Sequence, residues 1–245
     1  ASGIGRATAE HLYQQGWTLG LADLNLDPLN DLCQNWSQDR VTCFQLDVSN
    51  AEQSKRVLSQ FCGQHDDQLH VLINSAGILR MGQFEDISTE NHQQIFDVNV
   101  IGTINTCHAA FPFLMKSKAA IVVNLSSASS LYGIPELASY SASKFAIKGL
   151  TEALELEWSK YDISVCDIAP PFINTNMMSS QSNGAKVLDS MGINFEASDV
   201  AKVVAKQIKR KRLHRTVGIR YTILYMLNEL TPSIFTRLYI KFLAR

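Results

Sequence analysis

Tyr140 and Lys144 sit in the run Ser139-Tyr-Ser-Ala-Ser-Lys144. A spacing of i to i+4 puts both side chains on one face of a helix. A lysine ammonium beside a phenol stabilises the phenolate, so the pair predicts a tyrosine pKa below its ordinary value of about 10. A tyrosine tuned toward neutrality can relay a proton. Tyr/Lys pairs at this spacing are also common on helix surfaces, so the pair alone decides nothing. Gly3 and Gly5 offer a different chemistry, standing just before a helical pattern that runs to about Gln15. Glycines at a helix N-terminus let backbone N–H groups approach a phosphate, and the helix dipole favours its charge. An ordinary tight turn has the same composition. Asp23 ends the next strand-like run, about twenty residues after the glycines. An acid there can accept hydrogen bonds from ribose hydroxyls and repels a 2′-phosphate. Ser2 supplies no cation for such a phosphate. Both features favour NAD over NADP, and a strand-end cap is the plain alternative for Asp23.

These residues need elements to position them. Strands are predicted at 17–23, 41–47, 70–74, 119–126 and 162–170, with a short one near Thr216-Val217. Between them lie amphipathic stretches. Asp27-Pro28 predicts a helix with Asp27 as N-cap. Ser49 to Glu52 reads as a capping box opening a helix of about fifteen residues. Further helices are expected around 88–97, 100–115, 139–160 and 197–210. Apolar strands alternating with helices mean a parallel sheet covered on both faces. The economical reading is α/β, one doubly wound, Rossmann-like domain over 1–217, followed by a basic, amphipathic helical tail over 218–245. A glycine turn of this kind should follow a strand, and none stands before Ala1. The expectation is that a first strand is missing from this sequence and that its absence lowers stability.

Composition sets the outer limits. At 245 residues, with 46% hydrophobic and 18% charged, the chain is globular and long enough for a real core. It holds no run of eighteen apolar residues for a membrane span and no secretory pattern at its start. Five cysteines without a CxxC spacing read as free thiols in a reducing cytoplasm. No metal site is expected, because the histidines are scattered. Residues 209–245 carry a net charge of +8 and residues 1–208 a net charge of −9. An acidic body argues against a nucleic-acid binder.

Ser2-Gly-Ile-Gly5, Asn74-Ser-Ala-Gly77, Asn99, Ser126-Ser127 and Tyr140-Ser-Ala-Ser-Lys144 occur in one order and spacing. Together they resemble the short-chain dehydrogenase/reductase family, from residue 1 to about 210. The resemblance implies roles. Tyr140 would be the catalytic acid/base, and Lys144 would lower its pKa and hold the nicotinamide ribose. Ser127, thirteen positions before the tyrosine, would hydrogen-bond the substrate oxygen. Asn99 would hold a water in a proton relay to Lys144; its structural alternative is a buried asparagine at a helix kink. Ser2, Gly3, Ile4, Gly5 and Asp23 would bind the cofactor, with Asp47 and Val48 at its adenine. Asn74, Ala76 and Gly77 would line it and steady the central sheet. Pro170, Ile173 and Thr175 resemble the segment that contacts carboxamide and phosphate. Two departures stand out: Pro171 where the family often has glycine, and Ser75 where asparagine is commoner.

The implied activity is hydride transfer between NAD(H) and an alcohol, ketone or aldehyde. A non-catalytic cofactor-binding regulator on the same fold is the rival, and epimerisation or dehydration a third reading. Leu131, Tyr132, Phe172, Met177 and Met178 make the expected substrate loops apolar, so a hydrophobic substrate is favoured. The same residues could simply pack a lid. A homo-oligomer through the two long helices is expected. The tail, split by Pro232, mixes basic, aromatic and aliphatic residues, as a membrane-interface segment does. A C-terminal helix packed on the substrate loops or on a neighbouring subunit is the alternative.

Overall fold

In a computed structural model, residues 1–173, 195–230, 234–237 and 241 are described. The chain opens on α1 (Gly3–Gln14), followed by β1 (Leu19–Asp23), α2 (Leu26–Cys33), β2 (Val41–Gln45), α3 (Ala51–Gly63) and β3 (Val71–Asn74). Then come α4 (Thr89–Phe96), a π-helical turn (Asp97–Ile101) and α5 (Gly102–Leu114). The remaining elements are β4 (Ile121–Leu125), α6 (Ala138–Trp158), β5 (Ser164–Ala169), α7 (Ala197–Arg210), β6 (His214–Thr216) and α8 (Ile219–Leu230).

All strand pairings are parallel. β3, β4, β5 and β6 form one sheet in that order, and β1 pairs with β2 in a second. The alternation of side chains along β4 shows why helices cover both faces. Val122 packs with Leu58, Cys107, Leu114 and Val165 beneath α3 and α5. Ile121, Val123 and Leu125 pack on the other face with Ile168, Val200 and Val204 beneath α7. The result is a single Rossmann-like α/β domain. A slot of about 640 Å³ separates β1 from β3, lined by Leu19, Leu21, Phe44, Leu72, Ile73 and Val98 among others.

Two helix starts differ from expectation. α2 begins at Leu26 with Asn25 as its N-cap, which leaves Asp27 as an acid in the first turn. Asn50, not Ser49, caps α3 by accepting from Gln53 N. Ser49 is engaged elsewhere, its backbone N and its hydroxyl both donating to Asp47 Oδ1 at 2.9 and 2.6 Å. An Asx-type turn on Asp47 therefore outcompetes the serine cap. The five cysteines are free thiols.

Candidate active site

The strand C-termini gather most of the expected residues. β4 ends at Leu125, and the chain turns through Ser126, Ser127 and a 3₁₀ turn at Ala128–Ser130. Ala128 N donates to Pro170 O at 2.9 Å, which ties this turn to the end of β5. Ser126 Oγ donates to Ser130 Oγ at 3.0 Å. Ser127 Oγ accepts from Ser129 N at 3.2 Å and is set against the Tyr140 phenol, whose pKa it draws down. Tyr140 and Lys144 lie one turn apart in α6, with Lys144 Nζ 5.6 Å from the Tyr140 ring centroid.

Lys144 is buried, and its ammonium donates to Leu125 O at 2.8 Å. Burial pushes its pKa down to about 8. Burial also pushes the Tyr140 phenol above its ordinary value, while the bond from Ser127 works the other way. The lowering expected from Lys144 is therefore not what this structure gives. The ammonium is turned to a strand carbonyl, and desolvation of the phenol dominates.

Asn99 lies in the π-helical turn between α4 and α5, a helix irregularity that frequently marks a functional position. Its side chain is fully engaged. Oδ1 accepts from Ile78 N at 2.8 Å, while Nδ2 donates to Ile78 O and to Ser143 Oγ, both at 3.0 Å. A Cβ on Gly77 would come within 3.3 Å of Asn99 Oδ1 and 3.7 Å of Lys144 Nζ. Gly77 thus lets the chain after β3 pass close over the lysine. Asn74 is spent inside the sheet. It donates to Asn124 Oδ1 at 2.9 Å and accepts from Thr106 Oγ1 at 2.8 Å. Asn124 passes the chain on to Thr151 Oγ1 at 2.9 Å.

At the glycine turn, Gly3 adopts a φ of +50°, which favours glycine. Ser2 stands at the N-cap of α1 without a side-chain bond to the helix. Ile4 packs its side chain into the core, and a Cβ on Gly5 would lie 3.3 Å from Ser75 Oγ. Asp23 is drawn to the same place, its Oδ2 lying 2.6 Å from Ala1 N and its Oδ1 accepting from Asn25 N at 3.0 Å. Val48 packs tightly against Gly102 at the start of α5. Ala76 is exposed beside the turn. A nicotinamide dinucleotide suits this donor set, because an N-terminal helix turn of backbone N–H groups meets a carboxylate at a strand end.

Other expected residues fall elsewhere. Ile173 and Phe172 are buried side chains, with Ile173 in the core under α7. Thr175, Met177, Met178 and Pro232 lie outside the described residues. The sequence reading missed Thr106, Asn124, Ser143 and Thr151. Their only signal was polarity at positions where the apolar pattern demanded core.

Parallel strands, helices on both faces and a proton-bearing group at the strand ends define the class of α/β dinucleotide-binding proteins. A family model described as short chain dehydrogenase matches residues 1–186. An uncharacterized oxidoreductase of Staphylococcus aureus is 31% identical over 174 residues, covering 71% of this chain and 75% of its own. A 3-ketodihydrosphingosine reductase of Bacteroides thetaiotaomicron is 31% identical over 175 residues, covering 71% and 62%. A short chain dehydrogenase/reductase from Burkholderia phymatum, solved in complex with NAD, superposes with a TM-score of 0.82 at 24% identity, covering 96% and 92%. ElxO, solved with NADP bound, gives 0.78 at 22%, covering 88% and 93%. The chain belongs to the short-chain dehydrogenase/reductase family and is an oxidoreductase of that family.

Proposed function

We propose that the protein transfers hydride between NAD(H) and the alcohol or carbonyl carbon of an apolar substrate, with Tyr140 as the acid/base. The observation that carries this reading is Ser127 set against the Tyr140 phenol, with the buried Lys144 ammonium one helix turn away and 5.6 Å from the phenol ring. When bound, the nicotinamide supplies the hydride chemistry. The chain's own residues handle the proton. Ser127 hydrogen-bonds the substrate oxygen and orients it toward Tyr140. The phenol, held protonated by burial, gives its proton to a carbonyl oxygen and takes one from an alcohol in the reverse direction. Lys144, anchored by Leu125 O, places positive charge under the phenol and binds the nicotinamide ribose. Asn99 holds the loop at Ile78 against α6 beside the lysine.

NAD in preference to NADP rests on Asp23, whose carboxylate lies beside the glycine turn. Ser2, Gly3, Ile4 and Gly5 hold the pyrophosphate through backbone N–H groups. Asp47 and Val48 meet the adenine, and Ala76, Gly77 and Pro170 flank the nicotinamide side. An apolar substrate is supported by Leu131 and Tyr132 and by the keto-lipid reductase among the relatives. For partners we propose a second copy of the chain and peripheral contact of the 218–245 tail with a membrane, in a cytoplasmic setting.

The test pairs fluorescence titration of NADH and NADPH with turnover on a panel of apolar alcohols and ketones. Tighter NADH binding is expected, and Tyr140→Phe should keep that binding while losing about 10²- to 10⁴-fold in turnover. Tighter NADPH binding would overturn the role of Asp23. Undiminished turnover in the variant would overturn the role of Tyr140.

A further inference from the structure

α8 is held to the body along one side. Tyr221 is 9% exposed, and Thr222 Oγ1 lies 2.6 Å from Thr216 Oγ1 of β6. The Tyr225 ring sits 5.5 Å from the Lys148 ammonium and beside His214. Asn228 Oδ1 accepts from Thr236 at 2.5 Å, which joins the helical turn at 234–237 to α8.

The opposite side carries Ile219, Ile223, Met226, Leu227 and Leu230, spaced i, i+4, i+7, i+8 and i+11. That spacing is one stripe about 100° wide. All five are more than half exposed, Ile219 and Leu230 at 79% and 80%. Ile234 and Phe235 are exposed as well. A stripe of aliphatic side chains facing water is unfavourable until something apolar covers it.

Charge indicates what covers it. Lys209, Arg210 and Arg212 are exposed at the end of α7, a few residues ahead of α8. None of the three makes an ion pair among the described residues. The segment from 209 onward carries +8 in all. Cations gathered without counter-charges beside a one-sided aliphatic stripe suit a surface that offers anions outside and hydrocarbon beneath. No helix among the described residues is long and apolar enough to cross a membrane, so the geometry is that of lying on one.

We propose that α8 and the turn at 234–237 dock on an anionic lipid surface, with the Ile219/Ile223/Met226/Leu227/Leu230 stripe inserted among the acyl chains and Lys209, Arg210 and Arg212 at the headgroups. This rests on the membrane contact proposed for the tail and is independent of the catalytic reading. The stripe supplies insertion, and the basic cluster supplies selectivity for anionic lipid.

The test is co-sedimentation of the whole chain with phosphatidylcholine vesicles, with and without about 30% phosphatidylserine. Binding to the anionic vesicles is expected, weakening with salt. The exposed-face variant Ile223→Glu/Met226→Glu should lower it by about tenfold or more. Arg210→Gln/Arg212→Gln, which replaces two exposed side chains, should lower it several-fold on anionic vesicles only. Far-UV circular dichroism and the melt of each variant check that the body still folds. Wild-type binding that both variants retain would overturn the stripe while leaving the tail's membrane contact standing. No binding to either vesicle would overturn both. A stripe variant that changes the mass in light scattering, with no vesicle binding by the wild type, would assign the face to a second copy of the chain instead.

Discussion

Lys144 holds its charge where water scarcely reaches. Its folded pKa of about 8 lies below the ordinary 10.5, because burial disfavours the ammonium. Between those values the unfolded chain binds more protons, so stability rises with pH across that window. Below pH 8 the buried ammonium costs the fold its full share, ~3 kcal/mol. Urea unfolding between about pH 7.5 and 10.5 should show this rise, and Lys144→Met should flatten it. A slope unchanged in the variant would mean that another group sets it. Ser127 faces a different demand. Its hydroxyl is the polar group that meets the Tyr140 phenol, so Ser127→Ala should cost about 10²-fold in kcat with little change in cofactor affinity. Ser126→Ala should cost far less, because Ser126 is bonded to Ser130 and not to the tyrosine.

Among the elements, the central strands are tied to their helices by polar chains as well as by apolar packing. The run Thr106–Asn74–Asn124–Thr151 links α5, β3, β4 and α6 inside the protein. Asn124→Ala leaves the Asn74 amide and the Thr151 hydroxyl short of a partner, at about 1–3 kcal/mol. The melting temperature should fall by roughly 2–4 °C for each kcal/mol lost. At the sheet edge, His214 on β6 is held between Asp167 at 3.1 Å and Glu152 at 3.2 Å. The Asp167 hydrogen bond raises the His214 pKa. A raised histidine stabilises fully below its unfolded value of 6.5 and loses that contribution as pH rises through the folded value. Stability should therefore fall as pH rises above 6.5, and His214→Gln should remove that part of the slope.

The whole molecule leaves apolar surface on the two long helices. Ile101 at the end of the π-helical turn, Ile104 in α5 and Phe145 on α6 are each about two-fifths exposed. Apolar residues on neighbouring helix faces are what a symmetric helix-to-helix interface would cover. Light scattering should report an oligomer, and Phe145→Glu should shift it toward monomer. A wild-type monomer would remove the role proposed for these helices. The slot between β1 and β3 belongs to the same scale. The apolar cluster under α1 and α7 holds Leu19 of β1 and Ile73 of β3 together, while a second cluster lies under α3 and α5.

Much of this protein was legible in the residue order. Apolar runs of strand length between amphipathic stretches dictate parallel strands under two helix layers, since such strands must be buried on both faces. The glycine turn, Asp23 and the Tyr140–Lys144 spacing are local patterns, and local patterns survive in a sequence read alone. Helix starts were less legible, because Asn25 and Asn50 compete with their neighbours for one capping position. Tertiary structure alone decided the rest. It turned Lys144 to Leu125 O, gave Ser127 and not Ser126 to the phenol, consumed Asn99 and Asn74 in packing, and raised the tyrosine that spacing predicted would be lowered. Each outcome depends on which groups lose water and which distant partners replace it. Burial and long-range hydrogen bonding come from the packing of the whole chain, and spacing along the chain does not encode them.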